Sequence, residues 1–134
     1  VIAGIAPAAH YLRGGWRVGL GSDVAGGHTL DLFAVMASAV QVSKLRWRYV
    51  DQTEAPLTMV EALYLATVGG GDFWRDYGVQ LGLFEPGYAL DALVLDDSAL
   101  RNQRAFTPAE RLERYAYLGK GSLTAKFVDG RQIF

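Results

Sequence analysis

The sequence predicts an α/β fold: the last helix, strand and helix of a (β/α)8 barrel, followed by a β-rich segment. Three observations predict it. A short apolar run over residues 16–21 ends in Ser22-Asp23 and a glycine turn. The longest helical pattern in the chain, 31–49, follows that turn almost at once. Residues 124–134 read as a hairpin around Asp129-Gly130.

In chain order, a short helix is expected over 7–12. Pro7 suits a first helical position, where its missing N–H costs nothing, and Gly14-Gly15 suit a left-handed stop. The run W-R-V-G-L-G at 16–21 then fits a buried strand whose glycines admit close packing or a nearby ligand. Over 31–49, Leu32, Val35, Met36, Ala39, Val40 and Ser43 recur at three- and four-residue steps, the period of a helix with one buried face. Lys44, Arg46 and Arg48 near its end complement the negative pole of the helix dipole, with Trp47 as a packing aromatic.

Thr58 and Glu61 have capping-box spacing, so a further helix is expected to start there. It continues through 62–68, apolar nearly all round, and is expected to stop at Gly69-Gly70-Gly71. A helical turn over 72–77 follows, then a turn at Pro86-Gly87 and a short strand over 92–95. Thr107, Pro108 and Glu110 announce a helix over 108–117. The closing hairpin, 124–128 against 131–134, is set by Asp129-Gly130, a pair that tolerates the positive φ values of a two-residue type I′ turn.

Composition bounds the function. A chain of 134 residues has the length of one domain, and a domain of that size can bury roughly two-thirds of its unfolded surface. Its apolar fraction of 51% exceeds the usual value of about 45–50%. Such a surface implies either self-association, as a homo-oligomer such as a dimer, or apolar faces covered by further chain. With 13 basic and 14 acidic side chains the net charge is −1, and no global field favours nucleic acid or an anionic membrane. The absence of cysteine excludes disulfides, thiolate metal sites and a cysteine nucleophile. No apolar run reaches the ~18 residues of a membrane span and no secretion signal opens the chain, so a soluble, cytoplasmic protein is expected. The start at Val1, within what reads as a structured segment, suggests a piece of a longer polypeptide.

Asp23 is the principal candidate for chemistry. Carboxylates at the carboxyl ends of parallel strands are where α/β enzymes place catalytic groups. Asp23 is therefore a candidate metal ligand or proton acceptor, the plainer alternative being a cap on the turn into the next helix. A phosphate loop through Gly19, Gly21 and Gly26 is disfavoured: Val24 breaks the G-x-G-x-x-G spacing, no Lys-Ser or Lys-Thr pair follows, and Asp23 would repel a phosphate. A nucleophile elbow at Ser22 would need glycines where Leu20 and Val24 stand. His10 and His28 are the only histidines, too few for a three-histidine zinc site. His10 reads as a surface or packing residue; His28, just past Gly27, is placed to line a substrate mouth.

Taken together, these segments resemble guanine deaminases, zinc enzymes of the amidohydrolase superfamily, along nearly the whole chain. The resemblance is carried by Val18-Gly19-Leu20-Gly21-Ser22-Asp23-Val24-Ala25-Gly26-Gly27, preceded by Gly4-Ile5-Ala6-Pro7. It extends through Leu57-Thr58 and Leu65-Ala66-Thr67-Val68-Gly69-Gly70, then Gly82 with Phe84-Glu85-Pro86-Gly87 and Asp91-Ala92-Leu93. Tyr117-Leu118-Gly119 and Val128-Asp129-Gly130-Arg131 complete it. What the resemblance implies is the carboxy-terminal piece of a metal-dependent hydrolase. Residues 1–78 would supply the last strand and helices of the barrel, and 79–134 a segment of a small β-sandwich domain with one helix.

The implied activity is hydrolytic deamination of guanine, a purine, to xanthine and ammonia. In the intact enzyme one zinc ion would be held by histidines from earlier strands and by the eighth-strand Asp, and a metal-bound water would attack the ring while a glutamate shuttles protons. Only Asp23 carries over from that set, as metal ligand and as acceptor of a proton from the nucleophilic water. This chain alone is thus expected to bind no zinc tightly and to be inactive. Other readings are an amidohydrolase acting on another aminopurine, a pterin or a chlorotriazine, and a non-catalytic self-associating interaction module.

Overall fold

The computed structural model describes residues 4–100, 104–119 and 121–134. Helices α1 (Ala8–Arg13), α2 (Leu32–Tyr49), α3 (Met59–Tyr64) and α4 (Gly70–Arg75) precede strand β1 (Ala92–Asp96), and helix α5 (Pro108–Leu118) precedes strands β2 (Ser122–Val128) and β3 (Arg131–Gln132). The three strands form one antiparallel sheet in the order β1-β2-β3. This is a mixture of helices and antiparallel strands.

Local chemistry sets most boundaries. Asp31 caps α2, its carboxylate accepting the Phe33 N–H at 2.9 Å. Thr58 and Glu61 form a complete capping box at α3, and Thr107 and Glu110 form another at α5, where Pro108 takes the first position. Each cap satisfies N–H groups that the helix itself cannot, worth about 1 kcal/mol. Gly119 ends α5 at φ 58°, the left-handed conformation that glycine adopts without a Cβ penalty. Asp129 (φ 49°) and Gly130 (φ 74°) make the type I′ turn between β2 and β3.

Two expectations are corrected. Residues 16–21 form no strand, because a strand needs a neighbouring strand for its ladder and the described sheet holds only β1, β2 and β3. The glycines at 69–71 do not stop the helix. The chain passes from α3 through a wider π-helical turn, Leu65–Gly69, directly into α4. Here the glycines serve close approach. A Cβ on Gly69 would overlap the Val18 carbonyl oxygen, and one on Gly71 the Leu81 carbonyl oxygen. The helical turn expected over 72–77 is the continuation of this helix.

The core lies where α2, α3 and α5 meet. Met36 and Val40 of α2, Leu57, Met59, Ala62, Leu65 and Ala116 are buried there, with Ala9 of α1 at its margin. Each large side chain contributes roughly 1.5–3 kcal/mol by leaving water. The one buried polar side chain among the described residues, Ser43, is fully satisfied: its hydroxyl donates to the Val40 carbonyl at 2.7 Å and accepts the Leu57 N–H at 2.9 Å. Phe33 and Tyr115 join α2 to α5 edge-to-face, with centroids 4.9 Å apart. Arg13 ties α1 to the start of α3 by donating to the Ala55 and Pro56 carbonyls and the Glu61 carboxylate.

The apolar excess of the composition lies partly outside this core. Trp16, Leu30, Tyr49 and Phe84 are exposed, and an open apolar groove of about 560 Å³ runs between α2, the π-helical turn and β1.

Candidate functional site

Asp23 follows the segment 16–22, and the backbone there turns back sharply. The N–H groups of Gly26 (2.9 Å) and Gly27 both donate to the Asp23 carbonyl, and Val24 pairs with Gly27. The turn holds two non-glycine residues at positive φ, Asp23 at 47° and Ala25 at 80°. Asp tolerates that region, whereas for alanine it costs on the order of 1–3 kcal/mol. Strain of this kind is a common mark of a functional turn. A Cβ on Gly26 would lie 2.6 Å from Asp23 Oδ2, so the carboxylate leans over the glycine. Asp23 is exposed.

The segment leading to Asp23 is held from one side by the helix that passes through Gly69 and Gly70. The Leu20 N–H donates to the Leu65 carbonyl at 3.0 Å. Val18 and Leu20 pack against the core. A Cβ on Gly19 would come within 2.9 Å of the Gly70 N and Cα atoms. Farther out, Arg17 donates from Nε to Asp72 Oδ2 (2.7 Å) and from Nη1 to Asp76 Oδ2 (2.6 Å), and also reaches the Asp72 carbonyl. The Asp76 carboxylate, with that of Asp72, raises the Arg17 pKa, and the guanidinium in turn lowers that of Asp76. This clamp was not foreseen from the sequence. Its one legible sign is the four-residue spacing of Asp72 and Asp76, which places both on one helix face.

The histidines are not brought to Asp23 as a set. His28 is exposed on the same loop, five residues on. His10 is on α1 and faces Glu54, with Nδ1 3.7 Å from Oε1, in keeping with a surface role. Among the described residues no three His, Cys, Asp or Glu side chains cluster closely enough to hold a metal ion. Since a catalytic zinc takes three protein ligands, the described residues do not make a zinc site by themselves.

The family model described as "Amidohydrolase family" matches residues 1–133. A guanine deaminase from C. acetobutylicum, solved with guanine bound in its active site, superposes with a TM-score of 0.86 at 41% identity, over 98% of this chain and 30% of that one. A probable guanine deaminase of Schizosaccharomyces pombe is 35% identical over 72% of this chain and 18% of its own length. A 5-methylthioadenosine/S-adenosylhomocysteine deaminase of Nitratidesulfovibrio vulgaris is 36% identical over 98% of this chain and 28% of its own. The chain thus spans less than a third of each of these relatives. The match to the family model over nearly every residue shows that the chain belongs to the amidohydrolase family.

Proposed function

We propose that this chain is the Asp23-bearing part of a guanine-deaminase-type aminohydrolase, which takes guanine and water to xanthine and ammonia. The observation that carries the reading is the Asp23 turn at the end of the seated segment 18–22, in a chain similar over 98% of its length to a deaminase solved with guanine bound. In this reading residues 1–78 furnish the last strand and helices of a (β/α)8 barrel, and 79–134 part of a small β-sandwich domain. Neighbouring barrel strands would supply the ladder partners that 16–21 lacks. Asp23 accepts the proton lost by the attacking water, and His28 lies at the substrate mouth. Zinc, if the whole protein uses it, draws its remaining ligands from residues outside this chain. A cytoplasmic, homodimeric enzyme belongs to the same proposal.

A second reading keeps the deamination and changes the purine substrate. The similarity to the 5-methylthioadenosine/S-adenosylhomocysteine deaminase covers as much of this chain, and favours another aminopurine. Both readings require the full-length protein to release ammonia from a purine. The test is ammonia release from guanine and from 5-methylthioadenosine by that protein, with and without Asp23→Ala. Loss of the proton acceptor should cost about 10²–10⁴-fold in turnover. Near-normal turnover would remove Asp23 from the chemistry, and no ammonia from either purine would overturn the reading.

A further inference from the structure

The turn that presents Asp23 is closed by its own backbone contacts, so its placement depends on what holds the segment before it. That segment meets the helix at its glycine run. A Cβ on Gly69 would overlap the Val18 carbonyl oxygen, and a Cβ on Gly19 would press within 2.9 Å of Gly70. The Leu20 N–H then reaches the Leu65 carbonyl, at the start of the π-helical turn. Only glycine allows this approach, because backbone atoms on both sides leave no flexible side chain to yield. By contrast, a Cβ on Gly70 itself would meet nothing nearer than the Leu65 carbonyl oxygen at 4.0 Å. Adjacent glycines in one helix therefore differ sharply: Gly69 faces the Asp23 segment and Gly70 has room for a methyl group.

We infer that Gly69 is a positioning residue for Asp23: its missing side chain sets how closely the segment 18–22 sits on the helix, and so where the carboxylate stands. The inference rests on the proposed role of Asp23 in deamination. It goes beyond that role by assigning the placement to a residue four helical positions into the Leu65 turn, with no contact to the reacting atoms. A helix stop, the ordinary reading of a glycine run, is not its function here, since the helix continues through it to Arg75.

The test compares Gly69→Ala with Gly70→Ala in the full-length protein. Both add one methyl group and both raise helix propensity, so a general effect on the helix moves both alike. Gly69→Ala should lower kcat on the order of 100-fold with a much smaller change in KM, as displacement of a catalytic group by about 1 Å does. Gly70→Ala should stay within about twofold of the parent. Crystal structures of the two variants read the geometry without any substrate: Asp23 shifts relative to the helix in the first and keeps its place in the second. If Gly69→Ala does not fold, Gly19→Ala tests the same seating from the segment's side, through its contact with Gly70. An unmoved Asp23 in Gly69→Ala, equal losses in both variants, or a lowered Tm with kcat unchanged would each overturn the inference. A parent protein inactive on purines overturns the proposed function instead, and the two crystal structures still decide the geometric claim.

Discussion

The backbone N–H of Leu20 donates to the carbonyl of Leu65 across 3.0 Å, joining the segment that carries Asp23 to a buried residue of the helix behind it. Leu65 has 0% of its surface exposed. Leu65→Ala should therefore cost about 2–5 kcal/mol, through lost transfer free energy and a cavity that the neighbouring helices cannot fill. Denaturant titration of parent and variant measures it, and a loss below about 1 kcal/mol would mean that the core collapses around the gap.

Ser43 gives a polar counterpart. Its hydroxyl is the acceptor for the buried Leu57 N–H, and alanine offers no replacement. Ser43→Ala should destabilise by about 1–3 kcal/mol, the cost of stranding a buried donor. Chemical denaturation checks this. A neutral result would indicate that water reaches the amide.

Arg17 should behave differently. Its ion pairs with Asp72 and Asp76 are short, but the Arg17 and Asp76 side chains are 47% and 62% exposed. Exposed pairs contribute roughly 0–1 kcal/mol and weaken with salt. Arg17→Ala is thus expected to change stability little, and less at 0.5 M NaCl than at low salt. A larger, salt-independent loss would show that the aliphatic stem, not the charge, does the holding.

Glu110 provides a pH signature. The Arg104 guanidinium, then the Thr107 N–H and hydroxyl, lower its pKa from the ordinary 4.5 to about 2. A carboxyl group whose pKa is depressed on folding stabilises the fold above its unfolded pKa and loses that contribution as pH falls through the folded one. Parent and Glu110→Gln should therefore differ most in Tm at neutral pH and converge between about pH 4.5 and pH 2. Thermal melts across that range read the convergence; a difference that persists at the acid end would assign the effect to shape and not to charge.

The isolated chain of residues 1–134 should bind no zinc tightly and release no ammonia from guanine, because Asp23 has no second and third ligand near it among the described residues. Metal analysis after dialysis, alongside an ammonia assay, checks both. One zinc per chain would require ligands that the fold does not now bring together.

Several features were legible in the sequence because they are local. Thr58 with Glu61 and Thr107 with Glu110 satisfy their helix starts within four residues. Asp129-Gly130 carries its own turn geometry, and Asp23 stands out as the carboxylate where an apolar run gives way to a glycine turn. The run Gly69-Gly70-Gly71 was misread as a helix stop because glycine has two uses, freedom at positive φ and absence of a Cβ. Sequence shows the residue but not which use applies. In the fold these three are helical, and it is the approach of the Val18 and Leu81 carbonyls that requires Gly69 and Gly71 bare.

The sequence by itself determined the caps, the hairpin turn, the helical faces and the place of Asp23 along the chain, since each depends on neighbours a few bonds away. Only the tertiary structure decided that 16–21 has no strand partner, that the helix runs on through its glycines, and that Arg17 reaches Asp72 and Asp76. Those outcomes depend on which groups meet across long stretches of intervening chain, Arg17 and Asp72 being 55 positions apart, and short-range patterns of side chains do not encode that distance.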